Sequence, residues 1–214
     1  MGESGDRFPI PAGVHRTEEV IRRSRFITTL GHTPEPELAR DFIGRVGAEF
    51  PDATHNCWAF VAGPPGSTAH VGMSDDGEPQ GTAGRPMLTT LLHSDLGEIA
   101  AVVTRYYGGV KLGKGGLGRA YASGVQRALD TLPTVEKVLR VECRLNLDYP
   151  SVDGVFRLLD RVEATRLEER FGARVRLRVA VPLDRIAELE RGLADETGGA
   201  GEITRVGPTP GPES

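Results

Sequence analysis

The spacing of apolar positions divides the chain into short strands and helices of ordinary length. From Val14 to Leu30, apolar and β-branched residues are set among charges, which predicts strands with a hairpin around Arg22 to Ser24. Thr33, Pro34 and Pro36 open a helix on which Leu38, Phe42, Val46 and Phe50 recur four apart, and Pro51 closes it. HNCWAFVAG, residues 55–63, reads as a buried strand; Gly63-Pro64-Pro65-Gly66 is a turn, and residues 69–73 form a further short strand. The next prediction is a helix capped by Thr82, with Pro86 in its first turn and Met87, Leu88, Leu91 and Leu92 buried. GEIAAVVTRYY, residues 97–107, is a short continuous apolar run and predicts a central strand. A Gly-rich loop then feeds a helix from Arg119 to Leu132, with Tyr121, Val125, Ala128 and Leu129 inward and Pro133 as its stop.

The pattern then changes. VLRVECRLNLDY, residues 138–149, alternates as a half-buried strand, and Ser151 caps a helix carrying Val155, Leu158, Leu159 and Val162. Two strands follow, 165–171 and 173–181, turning at Gly172; a helix over 183–196 buries Ile186, Leu189 and Leu193, and GEITRV is a last strand. This β-α-β-β-α-β order is the ferredoxin-like split pattern. The reading is an α+β protein: an N-terminal domain over residues 1–137, a ferredoxin-like domain over 138–207, and a Pro-rich disordered tail over 208–214.

Composition narrows the function classes. No apolar run approaches the roughly 20 residues of a membrane span, and Met1–Pro11 lacks the pattern of a secretory signal, so a cytoplasmic location is expected. Cys57 and Cys143 are far apart with no metal-ligand spacing and read as buried apolar residues. Net charge is -4, and each half carries two more acidic than basic side chains, so any polyanion would meet a local patch. Arginine is the default cation; of the three lysines, Lys111 and Lys114 share one Gly-rich loop.

That loop is the main candidate for chemistry. Gly108, Gly109, Gly113, Gly115, Gly116 and Gly118 precede a helix, and glycines let backbone N–H groups converge on an anion. Lys111, Lys114 and Arg119 would pair with phosphate oxygens, and Arg105 at the strand end would reach the same spot. Tyr106 and Tyr107 point opposite ways on a strand; either one packs inward and the other stacks on a base, or both rings are structural. Arg23 and Arg25 either extend a basic patch or protect an edge strand. Ser74, Asp75, Asp76 and Glu78 suit either a hard cation or a turn. His55 and Cys57, two apart on a strand, are either a nucleophile with its base or a buried polar pair. His55, Asp75, Asp76, Glu78 and Arg85 are secondary candidates. The loop lacks the terminal Gly-Lys-Ser/Thr of a Walker motif, and no cofactor, metal or catalytic residue is expected.

Three blocks together resemble the YigZ/IMPACT family: RRSRFIT (Arg22–Thr28), SDDGEPQGTAGRPML (Ser74–Leu88) and VVTRYYGGVKLGKGGLGRAY (Val102–Tyr121). HNCWAF is similar too, with Asn56 where other members often carry a second histidine. The resemblance implies an N-terminal domain like the second domain of ribosomal protein S5 and a C-terminal domain like the last domain of elongation factor G. It also implies a non-enzymatic role in translation, with RNA, the ribosome or a translation factor as partner; eukaryotic relatives regulate translation during amino-acid starvation. The alternative is an enzyme or sensor for a small phosphorylated ligand at the Gly-rich loop.

Overall fold

A computed structural model of the protein describes residues 5–208. It contains β1 (Arg7–Pro11), β2 (His15–Ile21), β3 (Ser24–His32), α1 (Pro36–Glu49), β4 (His55–Val61), β5 (Val71–Ser74), α2 (Gly84–Leu92), β6 (Ile99–Tyr106), α3 (Lys114–Asp130) and β7 (Thr134–Val138). These are followed by β8 (Arg140–Leu147), α4 (Val152–Arg161), β9 (Thr165–Phe171), β10 (Val175–Pro182), α5 (Ile186–Thr197) and β11 (Glu202–Pro208). Two units result: Phe8–Lys137, and Val138 onward together with Asp6 and Arg7. Pro208 ends β11, and the rest of the expected tail lies outside the described residues.

In the first unit β6 is central to a five-stranded antiparallel sheet of order β2-β3-β6-β4-β5. Its continuous apolar run has a simple cause. Ile99, Ala101 and Val103 face the core under α2 and α3, while Ala100 and Val102 share a cluster with Phe42 and Val46 of α1 and Phe60 of β4. Both faces of the strand are buried, so no polar alternation survives. On α1 the inward residues are Ala39, Phe42 and Val46, whereas Leu38 is exposed. A four-residue repeat drifts around a helix of 3.6 residues per turn, which puts Leu38 off the buried stripe.

The C-terminal sheet runs β11-β8-β10-β9, all antiparallel, the ferredoxin-like order. On β8 and β10, Val141, Cys143, Leu145, Leu147, Val175, Leu177 and Val179 face α4 and α5. Ser151 makes no side-chain capping bond; α4 is entered through a short 3-10 turn, Tyr149–Ser151.

The Gly-rich segment departs most from expectation. α3 starts at Lys114, five residues ahead of Arg119, so Gly115, Gly116 and Gly118 are helical. Close packing accounts for one of them, Gly116, and for a later glycine of the same helix. A Cβ at Gly116 would lie 3.1 Å from Leu112, and one at Gly124, further along, 3.0 Å from the Thr28 hydroxyl. The helix accepts glycine's lower propensity in return for close approach to its neighbours.

Candidate functional site

The β2–β3 hairpin turns on two residues, Arg22 (φ 47°) and Arg23 (φ 68°), both left-handed without being glycine. The backbone after β6 lies directly on this tip. A Cβ at Gly108 would sit 2.0 Å from the Arg23 carbonyl oxygen, so glycine is required there. The Ser24 hydroxyl ties the two together, accepting from Gly108 N (3.2 Å) and Arg105 Nη2 (3.3 Å). Gly109 and Gly113, at φ 83° and 73°, then turn the chain into α3.

Gly113 is the N-cap of α3 and has no side chain to offer; no acidic residue occupies the first turn. The first N–H groups of a helix lack intrahelical acceptors and carry partial positive charge. Around them lies a hollow of about 220 Å³, lined by Ile21, Arg22, Leu112, Gly116, Arg119, Ala120 and Ser123. The Arg119 guanidinium folds back over the first turn, 3.6 Å from where a Gly115 Cβ would be. Among the described residues, the side chains of Arg22, Arg23, Lys111, Lys114 and Arg119 enter no hydrogen bond or ion pair. By contrast Arg16, Arg25, Arg105 and Arg127 of the same unit are each bound to a glutamate. Five of the unpaired cations of this unit thus lie on the hairpin tip and the Gly-rich segment; Arg45 on α1 and Arg85 on α2 are unpaired elsewhere among the described residues.

Arg105 does not belong to that surface, which corrects the expectation. It is 5% exposed, donates to Glu78 Oε1 at 2.5 Å, and lies between the Phe26 and Tyr107 rings at 5.3 and 5.4 Å. A guanidinium this deep needs a counter-charge. Glu78, 8% exposed, supplies it and also accepts from the Tyr121 hydroxyl at 2.8 Å. The acidic and Gly-rich loops are thus joined through buried Arg105 and Ser24.

The other acidic side chains also have structural partners. Asp75 accepts from the N–H groups of Gly81 (2.7 Å), Ala83 (2.9 Å) and Gly84 (2.9 Å), so it, and not Thr82, caps α2. The Thr82 hydroxyl donates to the Pro79 carbonyl. Desolvation works to raise the Asp75 carboxyl, but the three backbone donors prevail and hold it below its ordinary value. Asp76, at φ 40°, accepts from Asn56 N, and its carbonyl is 2.6 Å from His55 Nδ1. Among the described residues, no cluster of three or more His, Cys, Asp or Glu side chains is arranged to hold a metal.

The aromatic and cysteine candidates separate cleanly. The Tyr106 hydroxyl donates to Asp52 (2.9 Å), and Arg25 lies over its ring while bound to both oxygens of Glu18. Tyr107 is 46% exposed and is the ring presented to solvent. Cys57 is buried, donates to the Asp75 carbonyl at 3.0 Å, and burial pushes its thiol up to about 12. It is protonated at neutral pH and is no nucleophile. Arg85, near the start of α2, is exposed and has no hydrogen bond or ion pair among the described residues. The sequence reading did not single out Arg22, Ser24 or Tyr121; Ser24 and Tyr121 act through hydrogen bonds to groups 84 and 43 residues away in the chain.

Comparison with known proteins fits this organisation. The Impact N-terminal domain model matches residues 22–129, and the domain of unknown function DUF1949 matches 145–200. IMPACT family member YigZ of Escherichia coli (strain K12) is 45% identical over 92% of this chain and 97% of its own length. An IMPACT family member of Haemophilus influenzae is 44% identical over 90% and 93%. A solved structure described as that of a hypothetical protein matches with a TM-score of 0.67 and 44% identity, covering 94% of this chain and 98% of its own. No helix among the described residues is long and apolar enough to cross a membrane. With the hairpin tip, the acidic loop and the Gly-rich segment all inside the matched region, the chain belongs to the IMPACT family.

Proposed function

We propose that the protein is a non-enzymatic cytoplasmic binder associated with translation, which docks RNA phosphates, on the ribosome or free, at the Gly-rich face of its N-terminal domain. One observation carries the reading: five unpaired cations surround an uncapped helix N-terminus in a domain of net negative charge. Unpaired arginine and lysine at a helix N-terminus suit phosphate oxygens. Tyr107, exposed next to the same loop, adds a ring on which a base can stack. Cys57, a buried and protonated thiol, offers no nucleophile.

The test is ribosome co-pelleting at low and moderate salt, comparing the native chain with Lys111→Ala/Lys114→Ala/Arg119→Ala. Each phosphate contact removed should flatten the salt dependence by about 0.7 in log–log slope on single-stranded RNA. Salt-sensitive pelleting that falls in the triple variant is expected. Pelleting that is absent, or unchanged in the variant, rejects the reading. Arg105 is unsuitable as a probe, because its removal leaves Glu78 buried and unpaired.

A second reading, a sensor or enzyme for a small phosphorylated ligand, draws on the hollow of about 220 Å³ beside Arg22 and Arg119. It predicts ligand-linked stabilisation of the chain by a phosphorylated metabolite in the absence of RNA.

A further inference from the structure

The C-terminal domain presents its own cationic hollow, built from different residues. On β8 and β10 alternate side chains are buried against α4 and α5, and the others line the opposite, open face of the sheet. That face holds a hollow of about 410 Å³, within the range of small-molecule sites. Four of its lining residues are arginines: Arg144, Arg170, Arg176 and Arg178.

These four divide into two pairs. Arg178 donates to Glu142 (2.8 Å) and Glu168 (3.2 Å), and Arg170 donates to Glu168, so both are oriented and largely neutralised. Arg144 and Arg176 make no hydrogen bond or ion pair among the described residues, although Arg144 is close enough to Glu142 to help hold its carboxyl below the ordinary value. Register places them side by side: Arg176 is opposite Asn146, and Arg144 is two residues before Asn146 on the same strand. Such diagonal neighbours stand about 7–8 Å apart, so both guanidiniums reach one compact ligand. Asn146 donates through Nδ2 to Glu202 (3.0 Å), so with Glu168 the hollow also holds two carboxylates, both engaged by neighbouring side chains.

We propose that this open sheet face is a second anion site, selective for a compact oligophosphate gripped by Arg144 and Arg176. Two free planar forks match several phosphate oxygens held at short range. The lining contains no aromatic residue, which disfavours a platform that stacks RNA bases. The site shares no residue with the Gly-rich face and stands whether or not that face binds RNA.

Calorimetric titration of the full chain with inorganic tripolyphosphate, at low salt, tests the proposal. Sulfate serves as the single-anion control and a short single-stranded RNA as the competing phosphate source. Arg144→Ala/Arg176→Ala should weaken tripolyphosphate binding at least tenfold. Arg144→Lys/Arg176→Lys, which keeps the charge and loses the forks, should weaken it several-fold with the melting temperature unchanged. In the Lys111→Ala/Lys114→Ala/Arg119→Ala background, which removes the phosphate contacts of the Gly-rich face, Arg144→Ala/Arg176→Ala should cause the same loss. No binding, binding retained in the alanine pair, or binding lost only in the triple variant overturns the site. Sulfate binding as tightly as tripolyphosphate, or RNA displacing it at equal phosphate concentration, overturns the ligand class.

Discussion

The Arg105–Glu78 pair shows how one residue's position decides its role. At the end of a strand and next to a Gly-rich loop, Arg105 has the sequence context of a surface cation. Its register opposite Phe26 and His55 instead carries it under Tyr107 and onto Glu78. Removing one partner of a buried pair leaves the other charge stranded, at a cost of about 3–5 kcal/mol. Glu78→Ala should destabilise the N-terminal domain by that amount in urea unfolding, and also deprive the Tyr121 hydroxyl of its acceptor. Glu78→Met/Arg105→Met should restore much of the loss, because apolar groups of similar volume replace both charges. A loss below about 1 kcal/mol in Glu78→Ala would mean that Arg105 is not dependent on Glu78.

Among the elements, α2 and α3 have opposite N-termini. α2 is closed by a carboxylate from its own chain, whereas α3 begins on glycine with cations around it. The Asp75 carboxyl lies below its ordinary value in the folded protein, so its stabilising effect is complete above the unfolded pKa of about 3.9. That effect disappears as pH falls through the lower folded value. Asp75→Asn should therefore lose about 0.5–2 kcal/mol at pH 7 and show a flatter stability curve below pH 4. Equal acid sensitivity of native and variant chains in urea titrations would refute the capping role. In the sequence, Thr82 is the nearer capping side chain by ordinary preference. Asp75 reaches the helix only because residues 76–83 fold back on themselves, a path that local spacing does not encode. The start of α3 was obscured by composition: Gly115, Gly116 and Gly118 carry no side chain to show a helical period, so the segment read as loop as far as Arg119.

For the whole molecule, element order was legible from local pattern except for β1 and β7. Most strands and helices bury one or both faces at a regular period, whereas these two five-residue strands pair only with each other. The ferredoxin-like order of the second domain emerged in that way from residues 138–207. The candidate surface was half legible: Lys111, Lys114 and Arg119 are local to the Gly-rich segment, but the hairpin tip and the inward turn of Arg105 arise from long-range register. The start of the chain is another long-range feature. Arg7 donates to Asp184 (3.0 Å) and Glu163 (3.1 Å), and Asp6 O accepts from Leu139 N, so the first described residues stabilise the C-terminal unit. Each unit has its own apolar core, which predicts two unfolding transitions. Trp58 is the only tryptophan and lies on β4, so its fluorescence follows the N-terminal unit alone, while circular dichroism follows both. Arg7→Ala should leave the Trp58 midpoint unchanged and lower the stability of the other transition by about 1 kcal/mol, the upper end for partly exposed ion pairs. A shift in the Trp58 midpoint instead would assign Arg7 to the N-terminal unit and refute this division of the chain.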